Sequence, residues 1–385
     1  MKILFLYYSP WWNATAYYGV TLAYGLQKAG HTVWFGTDPA VPSAQRAQEH
    51  GVPLFPCNLQ SGNPFRIMKE SQRCAEFLKN EHMDIVYTLS PQGHFLHFLA
   101  VRLFSVRDGS PSTRGGNVKI PLVRACCDVR APKNHFFNRY LYKKCVDWLI
   151  FPCKKNLDRY YPVLQFSPKK TSVIYAGIDL ARFDANRPEP FVRTQFGIPA
   201  NAPIVGNAAR LSPEKGHRHF LNVAARVLEK IKNVHFVIVG KEEQISIPSL
   251  REEARKLGIE NNVHFTGYLT DPRRAMQEFT IGVIASRFSE TISRAALEFM
   301  ALSKPVFATN VNVLGELIQH RKTGMVFAID DVQGMADGII EVLTDKSKCT
   351  EWGENARADI EQNFTLEQFT RKTEAIFKDI ITDTY

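Results

Sequence analysis

Phe279-Thr280-Ile281-Gly282-Val283-Ile284-Ala285, followed at once by Ser286-Arg287-Phe288-Ser289-Glu290-Thr291-Ile292-Ser293-Arg294-Ala295-Ala296-Leu297-Glu298-Phe299-Met300, reads as a strand, a loop and a helix. The first seven residues are a near-continuous apolar run of strand length, the pattern of a parallel strand buried on both faces. Small and apolar residues then recur at helical spacing, which predicts a helix over Arg294–Leu302 packed back on the sheet. The loop between them therefore sits at a strand's carboxyl end, where open α/β sheets bind ligands. Glu290 and Glu298 flank it, and if the turn is mostly helical they stand roughly 12 Å apart at the α-helical rise. That span suits two sugar rings joined by a diphosphate. The amides of Thr291, Ile292 and Ser293 at the helix start are expected to meet the phosphates, because a helix N-terminus attracts anions. Each glutamate can accept hydrogen bonds from a pair of hydroxyls, Glu290 on the transferred sugar and Glu298 on the ribose. Two glutamates on one amphipathic helix are more often simply solvated, so the spacing needs support from elsewhere.

That support lies upstream. Ile204-Val205-Gly206-Asn207-Ala208-Ala209-Arg210-Leu211-Ser212-Pro213-Glu214-Lys215-Gly216 runs from a strand to an Arg, then to a Lys in a Pro/Gly turn before a helix over His219–Ile231. Arg binds phosphate as a fork and Lys as a point charge, so the pair can hold both phosphates of a leaving diphosphate.

Outward from these segments, strands and helices alternate. Lys2–Tyr8, His31–Gly36, Asp84–Leu89, Pro121–Ala125, Trp148–Phe151 and Thr171–Tyr175 read as strands of the first half. Ile204–Gly206, His235–Val239, His264–Thr266, Ile281–Ala285, Val306–Ala308 and Gly324–Val326 read as strands of the second. Helical patterns separate them. Such alternation predicts an α/β fold of two Rossmann-like, doubly wound parallel-sheet domains facing a cleft. The polar, proline-containing Asp184–Pro190 is the expected linker. The expected division is 1–183, an acceptor-binding domain, and 184–365, a nucleotide-sugar-binding domain; the family resemblance given below implies that a C-terminal helix in 366–385 crosses back to join the first.

With 385 residues, 45% of them hydrophobic, the chain can bury two ordinary cores. No run approaches the roughly 20 apolar residues of a spanning helix, and Met1–Tyr8 reads as a first strand rather than a signal peptide. Seven cysteines without metal-type spacing fit a reducing compartment, so the expected location is the cytoplasm. A net charge of +10 calls for anionic partners. Basic residues from Lys133 to Lys170 alternate with Phe136, Phe137, Tyr140, Tyr142, Trp148, Tyr160 and Tyr161. This segment reads either as a peripheral contact with the anionic inner face of a membrane or as solvated helices whose rings are core. The basic residues follow no nucleic-acid motif, and neither a Gly-x-Gly-x-x-Gly after the first strand nor a Walker loop is present. His94 and His97 lie three apart without further metal ligands nearby; His94 is placed on the acceptor side and His97 in the core.

These segments resemble the retaining GT-B glycosyltransferases of family four (glycosyl transferases group 1). The resemblance is carried by "GNAARLSPEKGH", "HFVIVG", "VHFTGYL", the paired glutamates and "KPVFATNVNVLGELIQHRKTGMVF" over Lys304–Phe327. In the first half it is looser, through Leu22–Leu26, Gly30–Val33 and Tyr175–Phe183. The resemblance implies that Arg210 and Lys215 hold a donor diphosphate, Glu298 the ribose and Glu290 the donor sugar, with no metal or other cofactor. The base pocket is expected near Gly267–Leu269. Two positions depart from the family: Asn13-Ala14 stands where a Gly-Gly pair is usual, and Cys127-Asp128 where a histidine is frequent. Ala14 still allows close backbone approach to the donor, and Asp128 is placed in the site. The expected activity is transfer of a sugar from a nucleotide-diphosphate donor to an acceptor hydroxyl in cell-surface glycan, lipopolysaccharide or glycolipid assembly. A nucleotide-sugar epimerase of the same fold, or a non-catalytic binding protein, are the alternatives.

Overall fold

A computed structural model describes residues 1–60, 62–104, 120–184, 189–288 and 290–384. They form two compact units, Met1–Gly177 with Leu366–Tyr385, and Ile178–Thr365. Of the expected linker, residues 185–188 lie outside the described residues.

The first unit is built on β1 Lys2–Leu6, β2 Thr32–Thr37, β3 Leu54–Pro56, β4 Ile85–Thr88, β5 Leu122–Ala125, β6 Trp148–Phe151 and β7 Thr171–Val173. All pair in parallel, in the order β3-β2-β1-β4-β5-β6-β7. Strand β3 is absent from the sequence reading. Three residues ending in proline carry no legible period, and only pairing of Phe35 with Leu54 makes them a strand. The central strands are buried on both faces, which is why they read as apolar runs. The C-terminal helix Leu366–Thr384 belongs to this unit: Phe369 packs on Tyr18 and Phe377 on Tyr87. A Cβ added to Gly25 would meet Thr370 and Leu366, so glycine is what lets that helix lie against Ala14–Lys28.

The second unit is built on β8 Ile204–Ala208, β9 His235–Val239, β10 Val263–Gly267, β11 Ile281–Ile284, β12 Val306–Thr309 and β13 Gly324–Phe327. The sheet is again wholly parallel, in the order β10-β9-β8-β11-β12-β13. Going outward from β8, one side takes the next two strands in sequence and the other begins with β11. The carboxyl ends of β8 and β11 therefore diverge into connections on opposite faces, the switch point at which doubly wound sheets leave a crevice. Both expected ligand-binding segments, Ala209–Gly216 and Ser286–Ser293, start there.

Candidate donor-binding site

The two loops are clamped together by backbone and buried polar groups. Asn207 Nδ2 donates to Val283 O at 2.9 Å, tying β8 to β11 just below the switch point. After β8 the chain makes a short 3-10 turn, Pro213–Lys215, closed by Gly216 at φ +66°. A Cβ on Gly216 would lie 1.9 Å from Ala285 O. Only glycine accepts both that left-handed backbone and that approach, so the turn is pressed onto the end of β11. Arg287 N donates to Glu214 O at 2.8 Å, and His217 Nε2 lies 2.8 Å from Arg210 O. Burial holds His217 below its ordinary pKa, so the ring is neutral and donates to that carbonyl.

This clamping delivers Lys215 to Glu290. Lys215 Nζ donates to Glu290 Oε1 in a short charge-assisted contact, and Ser286 Oγ donates to the same oxygen at 2.7 Å. Thr309 Oγ1 at the end of β12 in turn donates to Ser286 O. Glu290 is 7% exposed, and its backbone carbonyl accepts from Val313 N at 3.0 Å. Its second carboxylate oxygen has no hydrogen-bond partner among the described residues. Glu298 is arranged alike: Arg294 Nε donates to Oε1 at 2.7 Å, and the residue is 6% exposed. A carboxylate with one oxygen fixed by a cation and the other open is oriented to accept from hydroxyl groups.

The helix begins at Arg294, as predicted, but residues 290–293 before it are not helical. Ser293 is the N-cap of Arg294–Ala301, and Glu290, Thr291 and Ile292 precede it in irregular backbone. The helical rise therefore does not measure the distance from Glu290 to Glu298. Thr291, Ile292 and Ser293 are buried, and only Ser293 sits at the helix boundary. Arg210 also departs from the expected arrangement. Its Nη1 donates to both carboxylate oxygens of Glu243, at 2.8 and 2.6 Å, and its Nη2 lies 3.5 Å from Glu214 Oε1. Arg210 is half-exposed, and an exposed pair of this kind is worth about 0.2–1 kcal/mol, so a phosphate can displace the carboxylates. Leu269 is partly buried beyond Gly267, whose φ of +71° turns the chain at the end of β10 and leaves Tyr268 exposed. Ser286, Thr309, His217, Glu243 and Arg294 were not singled out from sequence. Each is an ordinary polar residue whose role exists only through partners distant in the chain or through the helix boundary.

In the first unit, Asn13 Oδ1 accepts from Ala16 N at 2.9 Å and caps the helix Ala14–Lys28. Ala14 is therefore that helix's first residue, in the place where a helix N-terminus follows β1. Asp128 is exposed beyond the end of β5, with Oδ2 3.7 Å from the fully buried guanidinium of Arg124. His94 lies behind it at 1% exposure, its ring edge on Tyr142. Burial, with the Arg124 charge next, pushes His94 well below its ordinary pKa, so it is neutral. His97 Nε2 bonds Ile120 O at 3.1 Å, a core arrangement. In the basic aromatic segment, Tyr142 and Tyr160 are core residues, whereas Phe136, Phe137 and Tyr161 are exposed. Among the described residues no helix is long and apolar enough to cross a membrane, and no group of three His, Cys, Asp or Glu is placed to hold a metal.

Residues 16–182 match the family profile described as Glycosyltransferase Family 4, and residues 189–359 that described as Glycosyl transferases group 1. Lipopolysaccharide core biosynthesis mannosyltransferase LpsB of Rhizobium meliloti is 26% identical over 218 residues, covering 54% of this chain and 61% of that protein. The chain spans about half the length of several curated relatives it matches. A glycosyltransferase structure from Rickettsia africae superposes with a TM-score of 0.85 at 21% identity, covering 99% of each chain. HepE of Anabaena, solved with UDP and glucose, superposes at 0.81 and 21% identity, covering 98% of this chain and all of that one. At such identities the structural likeness is one of fold.

Proposed function

Because its two halves match these paired profiles and its two units have the GT-B architecture, the chain belongs to the group 1, family-four glycosyltransferases; from this premise we propose that it is a retaining enzyme that moves a sugar from a nucleotide diphosphate to an acceptor hydroxyl. The observation that carries the reading is the meeting of Lys215 and Glu290 at the switch point of the second sheet. A lysine beside a carboxylate whose other oxygen is open suits a ligand that is anionic at one end and hydroxylated at the other.

In the proposed reaction the bond from the anomeric carbon to a phosphate oxygen breaks, and that oxygen keeps the electron pair. The acceptor oxygen bonds to the anomeric carbon and passes its proton to the departing diphosphate oxygen. Negative charge grows on the diphosphate, and fixed donors aimed there lower the barrier. Lys215, Arg210 after exchange of Glu243, and the backbone at Thr291–Ser293 supply that charge without a metal or cofactor. Glu290 holds the sugar through its open oxygen, Glu298 the ribose, and the turn from Gly267 to Leu269 borders the base. The family resemblance assigns Ala14 and Asp128 to the reacting end, Asp128 as a carboxylate whose charge would stabilise a cationic sugar carbon. His94 shapes the acceptor side from beneath, through Arg124 and Tyr142, because it is buried. Two relatives, a lipopolysaccharide core biosynthesis mannosyltransferase and an Escherichia coli galactosyltransferase named for a diphosphoundecaprenol-linked sugar, support a glycan or lipid-linked acceptor. Exposed Phe136 and Phe137 among Arg139, Lys143 and Lys144 support peripheral binding to an anionic membrane surface from the cytoplasmic side.

A thermal-shift screen with UDP-, GDP- and ADP-linked sugars tests the reading. One of them is expected to raise the melting temperature and Lys215→Ala to abolish the rise, because a ligand of the native state stabilises it. A uniform lack of response would remove the donor assignment.

A further inference from the structure

Arg124, on β5, is the largest fully buried side chain among the described residues. None of its three guanidinium nitrogens has a hydrogen-bond partner among those residues. A guanidinium is always charged and carries five N–H donors, so an interior that leaves all of them unpaired is costly. The ionisable groups around it are Tyr142, Cys126, Asp128 and Tyr160. Burial pushes Tyr142 and Cys126 up to about 12 and Tyr160 higher still, so these three are neutral. His94, kept neutral chiefly by its burial, also has a buried Nε2 without a partner among the described residues. Asp128 is thus the single anion of the group, and at 3.7 Å and 53% exposure it is too far for a hydrogen bond. Native interiors pair their buried polar groups, and one left unpaired calls for an ion or ligand.

The place suits an acceptor. Arg124 lies near the carboxyl end of β5, beside β4 in a wholly parallel sheet, on the edge where ligands of such sheets bind. Asp128 leads from it to solvent, and a ligand oxygen taking the place of that carboxylate would meet the same nitrogen. We propose that Arg124 is the base of an anion site in the first unit, which takes a carboxylate or phosphate carried by the acceptor. The inference rests on the reading above that this unit binds the acceptor, and it adds that the acceptor is negatively charged close to its reacting hydroxyl.

Thermal-shift titrations at fixed ionic strength test this with glucose 6-phosphate, glucuronate, glucose, inorganic phosphate and acetate as probes. At least one of the two charged sugars is expected to bind at least about tenfold more tightly than glucose, as for one charge-assisted bond; the stronger of them tells phosphate from carboxylate. Arg124→Met replaces a buried ion by an apolar side chain, a change that folded proteins tolerate, and is expected to weaken that probe at least about tenfold. Asp128→Asn removes the competing carboxylate and should tighten it about two- to fivefold. Arg124→Lys keeps a charge without the fork and should fall between wild type and Arg124→Met; it carries the test if the methionine variant does not fold. A purely structural arginine would give neither the loss nor the gain. No preference for a charged sugar over glucose, unchanged affinity in the Arg124 variants, or weaker binding to Asp128→Asn would each overturn the proposal. Equal affinity for the bare ions would overturn the acceptor assignment by reducing the site to one for a free ion. These titrations contain no donor, so a chain that fails the nucleotide-sugar screen loses the transfer reading on separate grounds.

Discussion

Lys215 and Glu290 are 75 positions apart in the chain and share a part-buried charge-assisted hydrogen bond, with Ser286 donating to the same carboxylate oxygen. Removing either partner leaves the other charge in a poorly solvated place. Lys215→Ala is therefore expected to lower kcat by about 10²–10³, the usual cost of a lost transition-state donor. Ser286→Ala removes one neutral donor to the same oxygen and should cost about 0.5–1.5 kcal/mol, roughly two- to thirteenfold in kcat/KM. Steady-state rates with the donor found by thermal shift check both, and a Ser286→Ala effect as large as that of Lys215→Ala would contradict the arrangement.

Gly216→Ala puts a Cβ against Ala285 O at a residue with φ of +66°. The turn has to move to accept it. A loss of at least about 3 kcal/mol is expected from the combined strain and clash, together with weaker donor binding as Lys215 shifts from Glu290. Chemical denaturation gives the first quantity and titration with donor the second; a variant as stable as wild type would mean the turn is not pressed onto β11.

Asp128→Ala should impair folding as well as activity, because it strips the buried Arg124 of its carboxylate. Asp128 is half-exposed and 3.7 Å from the guanidinium, so its loss costs about 0.2–1 kcal/mol, whereas replacing a buried ion by an apolar residue of similar size is often neutral or stabilising. The double variant Arg124→Met, Asp128→Ala is thus expected to regain most of the stability without regaining activity. Equal melting temperatures for the single and double variants would refute the coupling.

Acid should weaken the second unit through His235 and His264, whose rings meet at 3.0 Å on β9 and β10. Burial, then the neighbouring His235 and Arg251, holds His264 at about 4, below its ordinary 6.5. His235 is lowered too, by burial and then by Arg193. The unfolded chain binds these protons first, so the stabilisation is complete above about pH 6.5 and is lost progressively as the pH falls toward 4. Discounted for partial exposure, His264 contributes on the order of 1 kcal/mol of loss by pH 5. His264→Phe, which keeps the stacking on Phe196, should flatten this part of the profile; an unaltered slope between pH 6.5 and 5 would count against it.

Phe136 is 84% exposed at the start of a helix that ends in Lys143 and Lys144. Phe136→Ser with Phe137→Ser removes apolar area worth about 1.5–3 kcal/mol per fully buried ring. Co-sedimentation with phosphatidylglycerol vesicles should fall at least about tenfold, while the folded chain's melting temperature stays close to wild type. Equal recovery with purely zwitterionic vesicles would argue against an anionic surface.

The apolar strand runs, their alternation with helices and the order of motifs were legible in the sequence because burial on both faces of a parallel sheet leaves a mark at every position. Phe279–Ala285 is the clearest case, and the polar loop after it could be located from that run alone. Strand β3 was not legible, since three residues hold no period and its pairing partner lies elsewhere. At the site, residue types were visible but partnerships were not. Glu290 could be marked as a sugar-holding carboxylate, yet its contact with Lys215 exists only because Gly216 brings one loop against the end of β11. Arg210 reads as a free phosphate fork until the chain folds Glu243 onto it. Local periodicity reports what each segment buries; which charges neutralise one another depends on strand order, and that is decided only when the whole sheet has formed.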